Sequence, residues 1–305
     1  MRSRGSYNLK ICHVLYTSSQ DGLYQVFTRY KLPQTACYSG ACAQAATGPD
    51  DELEELGHSV VDRCCGTLQE LDSIGVNFYS APFRLNKSQN SNYHFLYLTL
   101  LLSGAFDAQA RVAYQIYRIN ELKEWDIAFN PDSKNGQKYL TALEKRGAQQ
   151  LVDLIRSPQF AVIRKLLSEP RNTVHGVTLP APSSGSDSIN HPYNNYPVIS
   201  LPWRPGEALW AAAQSHSSLE KWGLMEQKHT TISDRWGKYH RRAIFLEPYT
   251  YSKTLVEESF KLIESISIRT DFTQTQGQTS RFQSKTLMGY QESERDFLEM
   301  YDLLF

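Results

Sequence analysis

Phe95-Leu96-Tyr97-Leu98-Thr99-Leu100-Leu101-Leu102-Ser103-Gly104-Ala105-Phe106 is the longest apolar run of the chain. With Thr99, Ser103 and Gly104 inside it, the run is too short and too polar to span a bilayer. Read outward over residues 92–120, it predicts one long helix that stays apolar through Val112 and Ile116. A helix that is apolar around most of its circumference belongs at the centre of a bundle. This stretch therefore places the chain in the mainly α class.

The flanking patterns agree. Leu53, Leu56, Val60, Val61, Cys64, Leu68 and Leu71 recur at three- and four-residue intervals, with acidic residues in the first turn where the helix dipole favours them. Gly75 and Pro82 mark the exit from that helix. A helical pattern resumes over residues 137–156 and stops at Pro158, and residues 160–167 predict a short helix. Ser168-Glu169-Pro170 then reads as the start of another helix, since proline is tolerated in a first turn. That helix ends near Gly176. Residues 178–205 are rich in proline, serine, glycine and asparagine and predict a loop, with a short strand at Val198-Ile199-Ser200-Leu201. Helices are predicted over residues 206–219 and, strongly, over residues 251–269. The expected organisation is an irregular N-terminal extension (1–48) of unknown structure, then a helical domain (51–269) with a loop-rich insertion (177–250). A linker and terminal helix follow (272–305).

Composition narrows the function classes. Lysine plus arginine equals aspartate plus glutamate at 32 each, so the net charge of zero argues against a surface that coats nucleic acid broadly. A local basic site remains open. Lys145, Arg146, Arg156, Arg164, Lys165 and Arg171 face only Asp153 and Glu169 over residues 145–175, which reads as a solvated helix face or as an anion site. Five cysteines without a secretory signal fit a reducing, cytoplasmic setting. Cys37 and Cys42 have no second pair at zinc-like spacing, and Cys64-Cys65 falls on a helix as core filling. No metal and no cofactor is expected. Phosphate-loop, Gly-x-Ser-x-Gly and His-Glu-x-x-His patterns are all missing from the sequence.

Arg171-Asn172-Thr173-Val174-His175-Gly176 carries the chemistry. Four residues apart on a helix, Arg171 and His175 share one face. A guanidinium grips phosphate with two prongs, and an imidazole exchanges a proton near neutral pH. The same two residues would serve equally as a structural pair. Asp107 and Arg111, also four apart, read as an intrahelical salt bridge, or Asp107 as a group that orients a site residue. His240-Arg241-Arg242 reads as basic surface or RNA contact, and Trp203, Trp210, Trp222 and Trp236 as core residues or stacking platforms.

Residues 101–112 (LLSGAFDAQARV), Leu166-Leu167 and the Arg171–Gly176 hexapeptide together resemble the HEPN superfamily, helical bundles with an Arg-Asn…His signature on a late core helix. The likeness covers residues 51–176, with the helix at 251–269 added. The interval between arginine and histidine is shorter than is usual there. The resemblance implies a HEPN-like helical bundle and a metal-independent endoribonuclease, with Arg171, His175 and Asn172 as catalytic residues and Asp107 in support. It also implies RNA as substrate, a homodimer that shares the site, and an antitoxin or defence-system partner protein. No membrane association is expected. Some members of that superfamily are binding modules without activity, so a non-catalytic RNA- or nucleotide-binding or scaffold protein is the alternative.

Overall fold

The computed structural model describes residues 20–46, 52–79, 85–175, 181–185, 196–201, 203–234 and 237–274. In chain order the elements are α1 (Gln20–Lys31), α2 (Pro33–Ala45), α3 (Leu53–Tyr79), α4 (Leu85–Ile116), α5 (Lys134–Lys145), α6 (Gln149–Ile155), α7 (Pro158–His175), β1 (Ala181–Gly185), β2 (Tyr196–Ser200), α8 (Trp203–His216), β3 (Leu224–Asp234), β4 (Gly237–Leu246) and α9 (Pro248–Arg269). The fold is mainly α. Among the described residues, no helix is long and apolar enough to cross a membrane.

Helix α4 is the axis of the bundle, as its sequence predicts. It packs against α3, α7 and α9, and its other end meets β1 and β2. Phe95, Leu98, Leu102, Phe106, Val112 and Ile116 are all buried on it, and each such side chain contributes about 1.5–3 kcal/mol by leaving water. Among its buried polar residues, Gln109 ties it to α9: Nε2 donates to Ile263 O at 2.9 Å and to Ser267 Oγ at 3.1 Å. From α5, the buried Tyr139 hydroxyl donates to Ala110 O. Cys42 and Cys64 are fully buried in the core, and burial raises both thiols above their ordinary range.

Residues 20–46 correct the expectation of an irregular extension. They form α1 and α2, which lie on α3, and Leu32, Tyr38 and Cys42 join the main core. The start of α2 has no local side-chain cap. Instead the Glu264 carboxylate of α9 accepts from the Gln34 N–H at 3.1 Å, from the Thr35 N–H at 2.8 Å and from the Thr35 hydroxyl at 2.8 Å. Amides at a helix start need such an acceptor. Burial pushes the Glu264 carboxyl up, against the pull of those three donors.

The expected single helix over 137–156 is two. Gly147 stands at φ +86°, and Gly147 N–H and Ala148 N–H bond back to Glu144 O and Leu143 O. This is a left-handed helix stop that glycine adopts without steric cost.

The reverse correction applies to α7. Ser168-Glu169-Pro170 does not start a helix; α7 runs unbroken through a buried Pro170. A proline inside a helix deletes the hydrogen bond to the carbonyl four residues back. That carbonyl belongs to Leu166, and the Tyr251 hydroxyl of α9 donates to it at 2.7 Å. Tyr251 is fully buried, edge-on to Phe95 at 5.7 Å and tilted against Trp222 at 5.6 Å.

The stretch at 177–250, expected to be loop-rich, also carries a four-stranded antiparallel sheet of order β1-β2-β4-β3 and the helix α8. The predicted strand at 198–201 is present as β2, paired Ala181↔Ser200 with β1 and Ile199↔Leu246 with β4. The β3–β4 hairpin, with a register shift between Gln227 and Thr230, was not anticipated. The predicted linker and helix beyond residue 274 lie outside the described residues.

One buried charge joins α8, α9 and the turn between α8 and β3. Glu258 Oε1 lies 3.0 Å from Lys261 Nζ and 3.4 Å from Lys221 Nζ, and Oε2 lies 3.8 Å from His216 Nε2. Burial pushes the Glu258 carboxyl up, but its bonds to the two lysines outweigh burial and hold it below the ordinary value of 4.5.

Two outcomes follow from this packing. Replacing Tyr251 by Phe leaves the Leu166 carbonyl without its donor and lowers unfolding free energy by about 1–3 kcal/mol. In a Pro170→Ala background the restored backbone N–H occupies that carbonyl, so the same Tyr251→Phe change costs less. Urea denaturation of the four-protein cycle measures the coupling, and additive effects would contradict it. For Glu258, a folded-state value below the unfolded one means stability that is present above about pH 4.5 and lost as the pH falls through the folded-state value. The stability gap between the parent and Glu258→Gln is therefore expected to be wide at pH 7 and to narrow at pH 3.

Candidate functional site

Arg171 and Asn172 sit in the last turns of α7, immediately after Pro170, and His175 is its final residue. The backbone thus places Arg171 and His175 one turn apart on one helix, as the spacing predicts. The side chains of Thr173, Val174 and His175 lie outside the described residues. Asn172 is exposed, and Arg171 is half-buried.

Asp107 comes from α4. Its Oδ2 lies 3.8 Å from Arg171 Nη2, with the two side chains 40% and 32% exposed. Asp107 makes no ion pair with Arg111 among the described residues, so the expected salt bridge within α4 is replaced by one between helices. Asp107 thus lies beside a candidate site residue of α7. At such exposure the pair contributes about 0–1 kcal/mol.

A second arginine belongs to the basic cluster read over residues 145–175. Arg164 lies two turns before Arg171, and at 100° per residue the two share a face of α7. Burial pulls its pKa down, Asp107 and Asp132 pull it up, and Arg171 pulls it down again. Asp107 thus pairs with Arg171 and attracts Arg164, while the two guanidiniums repel each other. Arginine stays charged in any such setting, so this end of the α4–α7 interface holds two guanidiniums under the influence of Asp107 and Asp132. The signal was present as the seven-residue spacing of Arg164 and Arg171, but it was legible only once one continuous helix was known to carry both.

The other sequence candidates lie elsewhere. Trp222 is fully buried and Trp210 half-buried, both as core residues. The side chains of Trp203, Trp236, His240, Arg241 and Arg242 lie outside the described residues. Among the described residues no three His, Cys, Asp or Glu side chains converge as a metal site would require. Comparison with protein-family models, with curated proteins and with solved structures finds no match to this chain.

The three-charge arrangement makes an asymmetric prediction. Asp107→Asn is expected to cost more stability than Arg171→Gln, because Asp107 balances both arginines whereas removing Arg171 relieves Arg164 of a like charge. Urea midpoints of the two variants decide it, and equal costs would mean that Asp107 serves Arg171 alone.

Proposed function

We propose that this protein is a metal-independent endoribonuclease of HEPN type that acts in a toxin or defence setting. One observation carries the reading: a solvent-reachable arginine, aimed by an interhelical carboxylate, sits one helical turn before a histidine. The ribose 2′-hydroxyl attacks the adjacent phosphate, the 5′-oxygen of the next nucleotide leaves, and a 2′,3′-cyclic phosphate remains. His175 moves a proton in this displacement, an imidazole being near its own pKa of about 6.5 at neutral pH. Arg171 stabilises charge that grows on the phosphate oxygens. Asn172, exposed beside it, contacts the phosphate or orients the imidazole. One imidazole cannot be acid and base in the same step, so a homodimer that brings two copies of the α7 end together divides the work. An antitoxin or other defence-system partner would restrain or trigger such an activity.

The Arg171–Asp107 pair is also what a structural ion pair would be. It favours, as the second reading, a non-catalytic RNA-binding or scaffold protein on the same bundle.

Total RNA incubated with the purified protein and EDTA separates the two. Cleavage by the parent that leaves 2′,3′-cyclic phosphate ends, and that falls by about 10²–10⁴-fold in His175→Ala, is the expected result. Intact RNA with every preparation, including dimer verified by light scattering, would favour the binding protein.

A further inference from the structure

Helix α4 is less uniformly buried than its composition suggests. One narrow stripe faces solvent, and its residues form a pattern. At 3.6 residues per turn Tyr97, Leu100, Gly104, Asp107 and Arg111 all fall within roughly 40° of the line of Tyr93. Tyr93 and Tyr97 are 66% and 44% exposed. Their rings stack on each other, 6.4 Å between centroids and 21° from parallel. Just before them, Asn86, Gln89 and Asn90 are exposed on the same side of the helix.

Past the tyrosines the stripe becomes cationic. A Cβ at Gly104 would stand 2.5 Å from Arg63 Nε, so the absent side chain is what lets the Arg63 guanidinium of α3 lie across α4. Arg63 is held there by the Ser59 hydroxyl one turn back on α3. One turn further along α4 is Asp107 with Arg171, and then the exposed Arg111, which pairs with no carboxylate among the described residues. The acid beside the tyrosines, Glu70, is occupied by His94 at 2.6 Å.

We infer that this stripe is a track for single-stranded RNA, with bases stacking on Tyr93 and Tyr97 and phosphates passing Arg63 to reach Arg171 and Arg111. The inference rests on the ribonuclease reading for its direction, since the track ends at the α7 site. Tyr93 to Arg111 spans about 27 Å at 1.5 Å per residue, room for several nucleotides of extended strand. Exposed aromatic faces accept any base, and arginines beside them neutralise the backbone. Charge complementarity selects this occupant. Arg63, Arg111 and Arg171 outnumber the one carboxylate on the stripe, Asp107, which suits a polyanion. Two tyrosine rings also offer roughly 300–500 Å², well short of the ~800 Å² per partner that a stable interface buries. A duplex would hide its bases from the rings, so single strands are the class that fits.

The test uses the full chain and a fluorescent 2′-O-methyl oligouridine dodecamer, which binds but cannot be cut by its own 2′-hydroxyl. Tyr93→Leu/Tyr97→Leu should weaken binding at least about tenfold, while Tyr93→Phe/Tyr97→Phe retains it. Arg111→Gln should flatten the dependence of log affinity on log salt by about one. Duplex of the same length should bind the parent and the leucine variant alike. Unchanged dodecamer binding by the leucine variant would overturn the track, and cleavage lost in His175→Ala would still uphold the site. Tyrosine-dependent binding without cleavage by the parent would uphold the track and remove the nuclease. Loss of a dimer in the leucine variant would show the stripe to be a protein interface, and absence of any RNA binding by the parent would overturn the track outright.

Discussion

The Tyr251 hydroxyl takes the place of an amide hydrogen that Pro170 does not possess. It donates to the Leu166 carbonyl at 2.7 Å, the group left open by a proline four residues on. Without that bond a buried carbonyl would stand unpaired, at a cost comparable to a lost hydrogen bond. With it, α7 continues to His175 and carries Arg164, Arg171 and His175 on one continuous helix. The same ring packs on Phe95 of α4 and on Trp222. One side chain of α9 therefore fixes the registry of α7, supports the central helix and closes over the turn that leads into β3.

The helices α3, α4 and α9 were legible because burial writes a 3.6-residue period into a sequence. What escaped was decided at a distance. Pro170 was read by its local rule as a helix start, and the residue that overrides this rule, Tyr251, lies 85 positions from the Leu166 carbonyl it caps. Helix α2 has small residues, little amphipathic contrast and no local cap, and its acceptor Glu264 lies 229 positions from Thr35. The β1 sequence Ala-Pro-Ser-Ser-Gly has no alternation to read, and it is a strand only because β2 pairs with it. At the site, Arg171 and Asp107 were each visible, but Asp107 had a nearer candidate in Arg111, and sequence alone left both readings open. The tyrosine stripe was not legible. Tyr93 and Tyr97 carry no signal of their own in or beside an apolar run, and only the packing separates the inward Phe95 and Leu98 from them.

Two carboxylates on α9 show how the kind of partner decides the state of a buried acid. Glu258 has two ammonium groups within 3.4 Å and is held below its ordinary value. Glu264 has only neutral donors, two amides and a hydroxyl, and burial leaves it above that value. Hydrogen bonds of similar number thus give opposite results, because full charges offset desolvation where dipoles do not. The two residues also act at different places: Glu258 ties α9 to α8 and the following turn, while Glu264 secures the N-terminal helices.

The bond between Tyr251 and Leu166 has a consequence in time. Ribosomal synthesis delivers Pro170 and Arg171 about 80 residues before Tyr251, some 4–16 s at 5–20 residues per second. Through that interval the end of α7 lacks its donor, and its last turns gain full stability only when α9 arrives. The arginine and histidine at that end are thus aligned late in the birth of the chain, once nearly all of the described bundle has left the ribosome.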